Sequence, residues 1–230
     1  MKKKLRHEIK FHINRGQYEL LKSRIKAVLK KDENTLEEEH YHIRSLYFDG
    51  IYNQAMRQKI SGIEKRKKYR IRIYNLDDSV IKLECKEKTG DQISKRTITL
   101  DKEFCEDIIR NDYFFDGKMP LDFYFDFKTN LLKPVVIVDY EREAYVYKYG
   151  NVRITFDKNL ETSLDTLDLF EKKTFNTKVL EDDVIIMEVK YDNYIPNFIK
   201  HLTNLAGVNQ SAISKYTLCR FKLIELTNRR

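Results

Sequence analysis

The sequence predicts an α+β fold, an eight-stranded antiparallel β-barrel that forms a tunnel with peripheral helices. Three observations point there. Short stretches of alternating polarity recur along most of the chain. Turn chemistry joins three of them in direct succession. The polar phase of these stretches is also charged with unusual regularity. A strand sends successive side chains to opposite faces, so such a pattern assigns each residue to one side of a sheet.

The first strand is expected at Lys4–Ile13, followed by a helix at Gln17–Lys31, where Leu20, Leu21, Ile25, Val28 and Leu29 keep helical spacing. Arg44–Phe48 reads as a strand and Asp49–Gln58 as a short helical or turn segment. Strands at Lys67–Tyr74, Ser79–Lys88 and Ser94–Leu100 are joined by turns at Asn75–Asp78 and Thr89–Gln92. Asp101 is a natural N-cap for a helix at Lys102–Arg110. Leu121–Leu132 reads as a further helix, although Asp122–Phe127 also alternates as a strand would. Strands follow at Val135–Lys148, Val152–Lys158 and Val184–Tyr191. Pro196 opens a helix to Leu205, and Tyr216–Glu225 is a last helix or strand.

With 230 residues, 7 Gly, 3 Pro and no repeat or composition break, the chain reads as one domain over residues 1–230. A hydrophobic fraction of 41% argues against disorder even with 35% charged residues. Its apolar runs are too short to span a membrane. The lysines after Met1 precede no apolar segment, so no signal peptide is expected. Three widely spaced cysteines, Cys85, Cys105 and Cys219, read as reduced thiols of a cytoplasmic protein. The net charge of +8 calls for an anionic partner without naming it.

The charged phases narrow that choice. Arg6, Glu8, Lys10 and His12 share one face, as do Lys68, Arg70 and Arg72. Lys82, Glu84, Lys86 and Lys88 alternate with Leu83 and Cys85, and Lys95 or Arg96 opens the next strand. Tyr140 and Arg142 lie in phase, as do Arg153, Thr155 and Asp157, and Glu188 and Lys190. A solvated outer face explains any one strand. If these faces instead converge inside a barrel, they line a wet channel with cations and a few carboxylates, while the apolar phases turn outward against helices. That inverted arrangement suits a chain of phosphates with bound metal. His40 and His42 have ligand-like spacing but no third ligand nearby, and Lys65–Lys68 reads as a solvated turn at the tunnel mouth.

Motifs along nearly the whole chain carry a resemblance: Arg6-His7-Glu8-Ile9-Lys10, Ser45-Leu46-Tyr47-Phe48-Asp49, Lys68-Tyr69-Arg70-Ile71-Arg72-Ile73-Tyr74 and Leu83-Glu84-Cys85-Lys86. Tyr140-Glu141-Arg142-Glu143-Ala144-Tyr145, Arg153-Ile154-Thr155-Phe156-Asp157, Met187-Glu188-Val189-Lys190 and Ser214-Lys215-Tyr216 complete the set. In this order and spacing they resemble the VTC domain family of polyphosphate polymerases, within the triphosphate tunnel metalloenzyme superfamily. The resemblance implies phosphate-contacting bases at Lys10, Lys59, Arg70, Arg72, Lys86, Arg142, Arg153 and Lys215. It implies hydroxyl donors at Tyr140 and Ser214, a further base at Lys95 or Arg96, and Mn²⁺ or Mg²⁺ held by Glu188 with Glu8 and Glu84 as helpers. The implied reaction moves the γ-phosphate of ATP onto a growing polyphosphate chain. ATP and polyphosphate are then the partners, with no nucleic acid, no membrane span in this chain, and any membrane-protein partner unspecified. Ala212 departs from the pattern, since relatives can carry a base there, two positions before the Ser-Lys pair.

Two rivals share the tunnel. A triphosphatase would carry Glu-x-Glu-x-Lys near the N-terminus, whereas Arg6 occupies the first Glu position. A non-catalytic polyphosphate-binding module would use the same bases without turnover. A nucleic-acid binder would need the bases on an open sheet.

Overall fold

The computed structural model describes residues 5–33, 39–205 and 207–228. One antiparallel sheet organises them. Its strands are β1 (His7–Ile13), β2 (Lys30–Lys31), β3 (Tyr41–Asp49), β4 (Arg66–Tyr74), β5 (Asp77–Thr89), β6 (Gln92–Leu100), β7 (Lys133–Tyr147), β8 (Val152–Ser163), β9 (Asn176–Lys178) and β10 (Ile185–Tyr191). Eight of them run in the spatial order β1-β10-β8-β7-β3-β4-β5-β6, with β2 on β7 and β9 on β8. The sheet curls until its edges meet. Arg6 and Ile93 exchange two backbone hydrogen bonds of 2.9 and 3.0 Å, which join the β1 edge to the start of β6.

Local chemistry sets the ends of several elements. Helix α1 (Arg15–Lys26) begins two residues earlier than expected, because Asn14 and Gln17 form a reciprocal capping box. It also ends earlier: Lys30 and Lys31 leave the helix to pair with Val146 and Tyr145. Lys4, the expected start of the first strand, lies outside the described residues. The β4–β5 hairpin turns on Asn75 and Leu76, both at positive φ, as a two-residue primed turn requires. Gly90, also at positive φ, opens the β5–β6 turn. Helices α2 (Gln54–Ile60), α3 (Lys102–Arg110), α4 (Leu121–Thr129), α5 (Asn197–Thr203) and α6 (Lys215–Thr227) complete the fold. Leu121–Thr129 is thus helical despite its alternation, and Phe123 and Phe127, four residues apart, are its buried face. The last segment is a helix too, capped by Ser214, whose side chain accepts from the Thr217 amide.

Two apolar clusters lie on the outer face. One joins Tyr69, Ile71, Ile73, Leu83 and Cys85 of the β4–β5 hairpin to Phe104 and Ile108 of α3 and to Phe123 and Phe127 of α4. The other joins Ile154, Phe156, Met187 and Val189 to Tyr18, Leu21 and Ile25 of α1 and to Ile199 of α5. The apolar phases therefore face outward as expected, with one correction. Ile43, Val136, Val138 and Ile186 belong to the inward phase and pack with Tyr216 and Cys219 of α6. Helix α6 thus fills part of the barrel interior with an apolar wedge and leaves the remainder to the charged side chains.

Candidate functional site

That remaining interior is a cavity of about 1520 Å³ whose lining includes Glu8, Lys10, Arg70, Arg72, Lys86, Arg142, Glu188 and Lys215. The strand period brings them together: Glu8 and Lys10 face Lys190 and Glu188 across the β1–β10 ladder, and Glu188 faces Thr155 of β8. Arg70 and Arg72 lie opposite Glu84 and Lys82 on β5. Of the bases implied by resemblance, Lys59 reaches the cavity from α2, Arg153 from β8, and Lys95 from β6, while Ser214 and Lys215 enter at the start of α6.

Arg96 does not enter. It pairs with Asp122 and lies 4.4 Å from the centroid of the Phe123 ring, on the outer face against α4. The ladder explains the choice: Lys86 is opposite Lys95, whereas Arg96 is opposite outward-facing Cys85.

Two carboxylate-centred groups divide the charged lining. In the first, Glu188 lies 2.8 Å from Lys215, 3.0 Å from Lys190 and 3.3 Å from Lys10. Glu8 lies 2.9 Å from Lys10 and 2.8 Å from Lys86. Asp157 binds the Arg142 guanidinium at 2.6 and 2.7 Å and also pairs with Lys215. Burial opposes ionisation of Glu188 and Glu8. The surrounding ammonium groups outweigh it and hold both carboxyls well below their ordinary range.

In the second group Glu84 is the only carboxylate among the described residues. It takes Arg70 at 2.6 Å and Lys95 at 2.5 Å. Arg72 comes no nearer to it than 3.9 Å and instead donates to the Ser45 hydroxyl at 3.1 Å and the Tyr140 hydroxyl at 3.0 Å. Arg72 is buried and hydrogen-bonds only to neutral groups, with Glu84 as a more distant counter-ion, so it keeps donors to offer an anion.

Other bases have different surroundings. Arg153 binds Asp32 and the Tyr41 hydroxyl, both at 3.0 Å. Lys59 donates to the Ala212 carbonyl at 3.0 Å, and Lys68 to Ser214 at the same distance. Burial, against the pull of Glu8, lowers Lys86 to about 8. Burial together with Lys10, Lys86, Arg66 and Lys59 takes Lys68 well below an ordinary lysine.

The three expected metal ligands are not equivalent. Glu8 and Glu188 share Lys10 and Lys190, whereas Glu84 is held by Arg70, Arg72 and Lys95. Among the described residues no three carboxylate, imidazole or thiol groups converge as a metal-binding set. The sequence reading also gave no role to Lys190 or Asp157, although both stand in phase with assigned residues.

Solved structures share the fold. A candidate adenylate cyclase of Bacillus halodurans is 14% identical, with 99% of this chain and 91% of that chain covered at a TM-score of 0.50. A Pyrococcus horikoshii protein is also 14% identical, with 93% and 98% covered at a TM-score of 0.50. No curated protein matches the sequence. The VTC domain model matches residues 5–224, which include every strand and nearly all of α6. The chain belongs to the VTC domain family.

Proposed function

We propose that this chain is an ATP-dependent polyphosphate polymerase, in which a terminal oxygen of a polyphosphate chain attacks the γ-phosphorus of ATP. The new P–O bond forms as the bond to the β,γ-bridging oxygen breaks, and ADP leaves. The observation that carries this reading is Arg72. A buried guanidinium that hydrogen-bonds only to hydroxyls, with Glu84 no nearer than 3.9 Å and with Arg70, Lys86 and Arg142 in the same cavity, keeps donors for phosphate oxygens.

Phosphoryl transfer asks the protein chiefly to align the groups and to neutralise charge on the equatorial oxygens. Arg70 and Arg72 would bind those oxygens, and Tyr140 and Ser45 fix the Arg72 plane. Lys10, Lys190 and Lys215 hold Glu188 ionised and in place. Mn²⁺ or Mg²⁺ suits the hard oxygen donors of Glu188 and Glu8, and such ions commonly take one or two carboxylates and complete their shell with phosphate oxygens and water. When bound, the ion would supply charge neutralisation and orientation of the phosphates. Glu84 would remain outside this set, as the counter-ion of Arg70.

Arg6 favours transfer over triphosphate hydrolysis. It occupies the position where a two-metal triphosphatase would place a carboxylate, and it is bound to Asp192 at 3.0 Å. Incubation with ATP and Mn²⁺, read by gel and phosphorus NMR, tests the proposal. A polyphosphate ladder with ADP is expected. Orthophosphate alone would make the chain a triphosphatase, and binding without turnover would make it a polyphosphate-binding module.

A further inference from the structure

The inner face of the β4–β5 hairpin breaks a rule of sheet pairing twice: Arg72 is opposite Lys82 near the Asn75–Leu76 turn, and a longer run lies at the end remote from that turn. Lys68 is directly opposite Lys86, and the next inward pair is Arg66 opposite Lys88. Like charges placed opposite one another destabilise a ladder. The pair between them, Lys67 opposite Glu87 on the outer face, has opposite signs. The cation–cation pairs are therefore confined to the side that faces the cavity.

Glu8 compensates Lys86 at 2.8 Å. Among the described residues no carboxylate pairs with Arg66, Lys68 or Lys88. Arg66 donates to the Ile63 carbonyl and Lys68 to the Ser214 hydroxyl. All three line the cavity. Burial draws Arg66 below an ordinary guanidinium, and burial with the neighbouring cations does the same to Lys68. The charge has been assembled without an internal counter-ion, in contrast to the Glu8–Glu188 group a few residues away.

We propose that Arg66, Lys68 and Lys88, none of them ion-paired with a carboxylate among the described residues, form a subsite that grips the part of a linear polyphosphate chain lying beyond the reacting phosphates. The assignment rests on the polyphosphate reading above and adds to it a separate determinant of chain-length preference. The carboxylate-bearing group discriminates through metal and geometry, whereas this run attracts any further phosphates through charge alone. Its place inside the curled sheet favours a slim phosphate chain over a nucleic-acid strand with bulky bases.

The test is calorimetric binding of long-chain polyphosphate, tripolyphosphate and a single-stranded oligonucleotide at one ionic strength, to wild type and Arg66→Gln/Lys88→Gln. The variant relieves repulsion, so its melting temperature is expected to equal or exceed that of wild type. Long-chain affinity is expected to fall about tenfold for each charge-assisted bond lost, with tripolyphosphate affinity within about twofold of wild type. Lys68→Gln supplies a second probe and is expected to show the same split. Equal losses for both phosphates, or no loss for either, would overturn the subsite. Oligonucleotide binding as tight as long-chain binding and equally sensitive to the variant would overturn its ligand. A wild type that binds no phosphate chain of any length would instead overturn the polymerase reading itself.

Discussion

Arg72 and Arg142 lie within one cavity, are equally buried and both contact Tyr140, yet they are held in opposite ways. Arg142 is locked by two short bonds to Asp157, which Lys215 also shares. Arg72 hydrogen-bonds only to the hydroxyls of Ser45 and Tyr140, and its nearest carboxylate, Glu84, stands off at 3.9 Å. A buried guanidinium with a bidentate carboxylate has largely spent its charge, whereas one held by hydroxyls has not. The comparison separates bases that build the tunnel from bases left to bind a ligand, although both are arginines in alternating phase.

The sharpest way to break this distinction is Arg72→Ala. Turnover with ATP and Mn²⁺ is expected to fall by about 10²–10³-fold, the scale for loss of one preorganised donor. The melting temperature should fall only slightly, because repulsion by Arg70 and Arg142 offsets part of the attraction of Tyr140 and Glu84 that holds Arg72 charged. Wild-type turnover in this variant would remove Arg72 from the track.

Asp157→Asn tests the other half of the comparison. It removes the bidentate counter-ion of buried Arg142 and leaves only Glu188 at 3.7 Å, a change expected to cost up to about 3–5 kcal/mol in stability. Chemical denaturation would measure it, and a shift under about 1 kcal/mol would show that Arg142 does not need the pair.

Glu188→Gln removes the charge that Lys10, Lys190, Lys215 and Arg142 surround. Mn²⁺ affinity, read by electron paramagnetic resonance, is expected to fall at least about tenfold. Metal-free affinity for tripolyphosphate should rise, since four cations lose a competitor. An unchanged Mn²⁺ affinity would place the ion elsewhere.

The smallest effect concerns pH. Lys86 is lowered to about 8 in the free protein, and a bound phosphate favours its charged form. The bound state then has the higher pKa, so binding takes up a proton as pH rises above about 8. Affinity for tripolyphosphate should weaken from pH 8 to 9 by up to about tenfold per proton. Lys86→Gln should show a shallower slope, and an unchanged slope would assign the dependence to other groups.

Much of this arrangement was legible from the strand period. Once β4, β5 and β10 are recognised, alternation alone assigns Arg70, Arg72, Glu84, Lys86, Glu188 and Lys190 to one face. Even Lys95 and Arg96 are separable in principle, because the two-residue turn at Gly90 and Asp91 fixes Lys86 opposite Lys95. What the period cannot supply is partnership across the barrel. The Glu8–Lys86 contact joins strands far apart in the chain and depends on closure of the sheet. Likewise, α6 has apolar side chains on several sides, so no simple stripe marks it as an interior wedge. The difference between Arg72 and Arg142 is also tertiary: both read as phased arginines until Asp157 is seen to hold one of them.

The most direct test of the central claim is a crystal structure with tripolyphosphate and Mn²⁺ bound. The account predicts phosphate oxygens within hydrogen-bond distance of Arg72 and the ion on Glu188. It also predicts that the Arg142–Asp157 pair remains intact. A phosphate chain bound outside the curled sheet, or one that displaces Asp157 from Arg142 while leaving Arg72 on its hydroxyls, would contradict it.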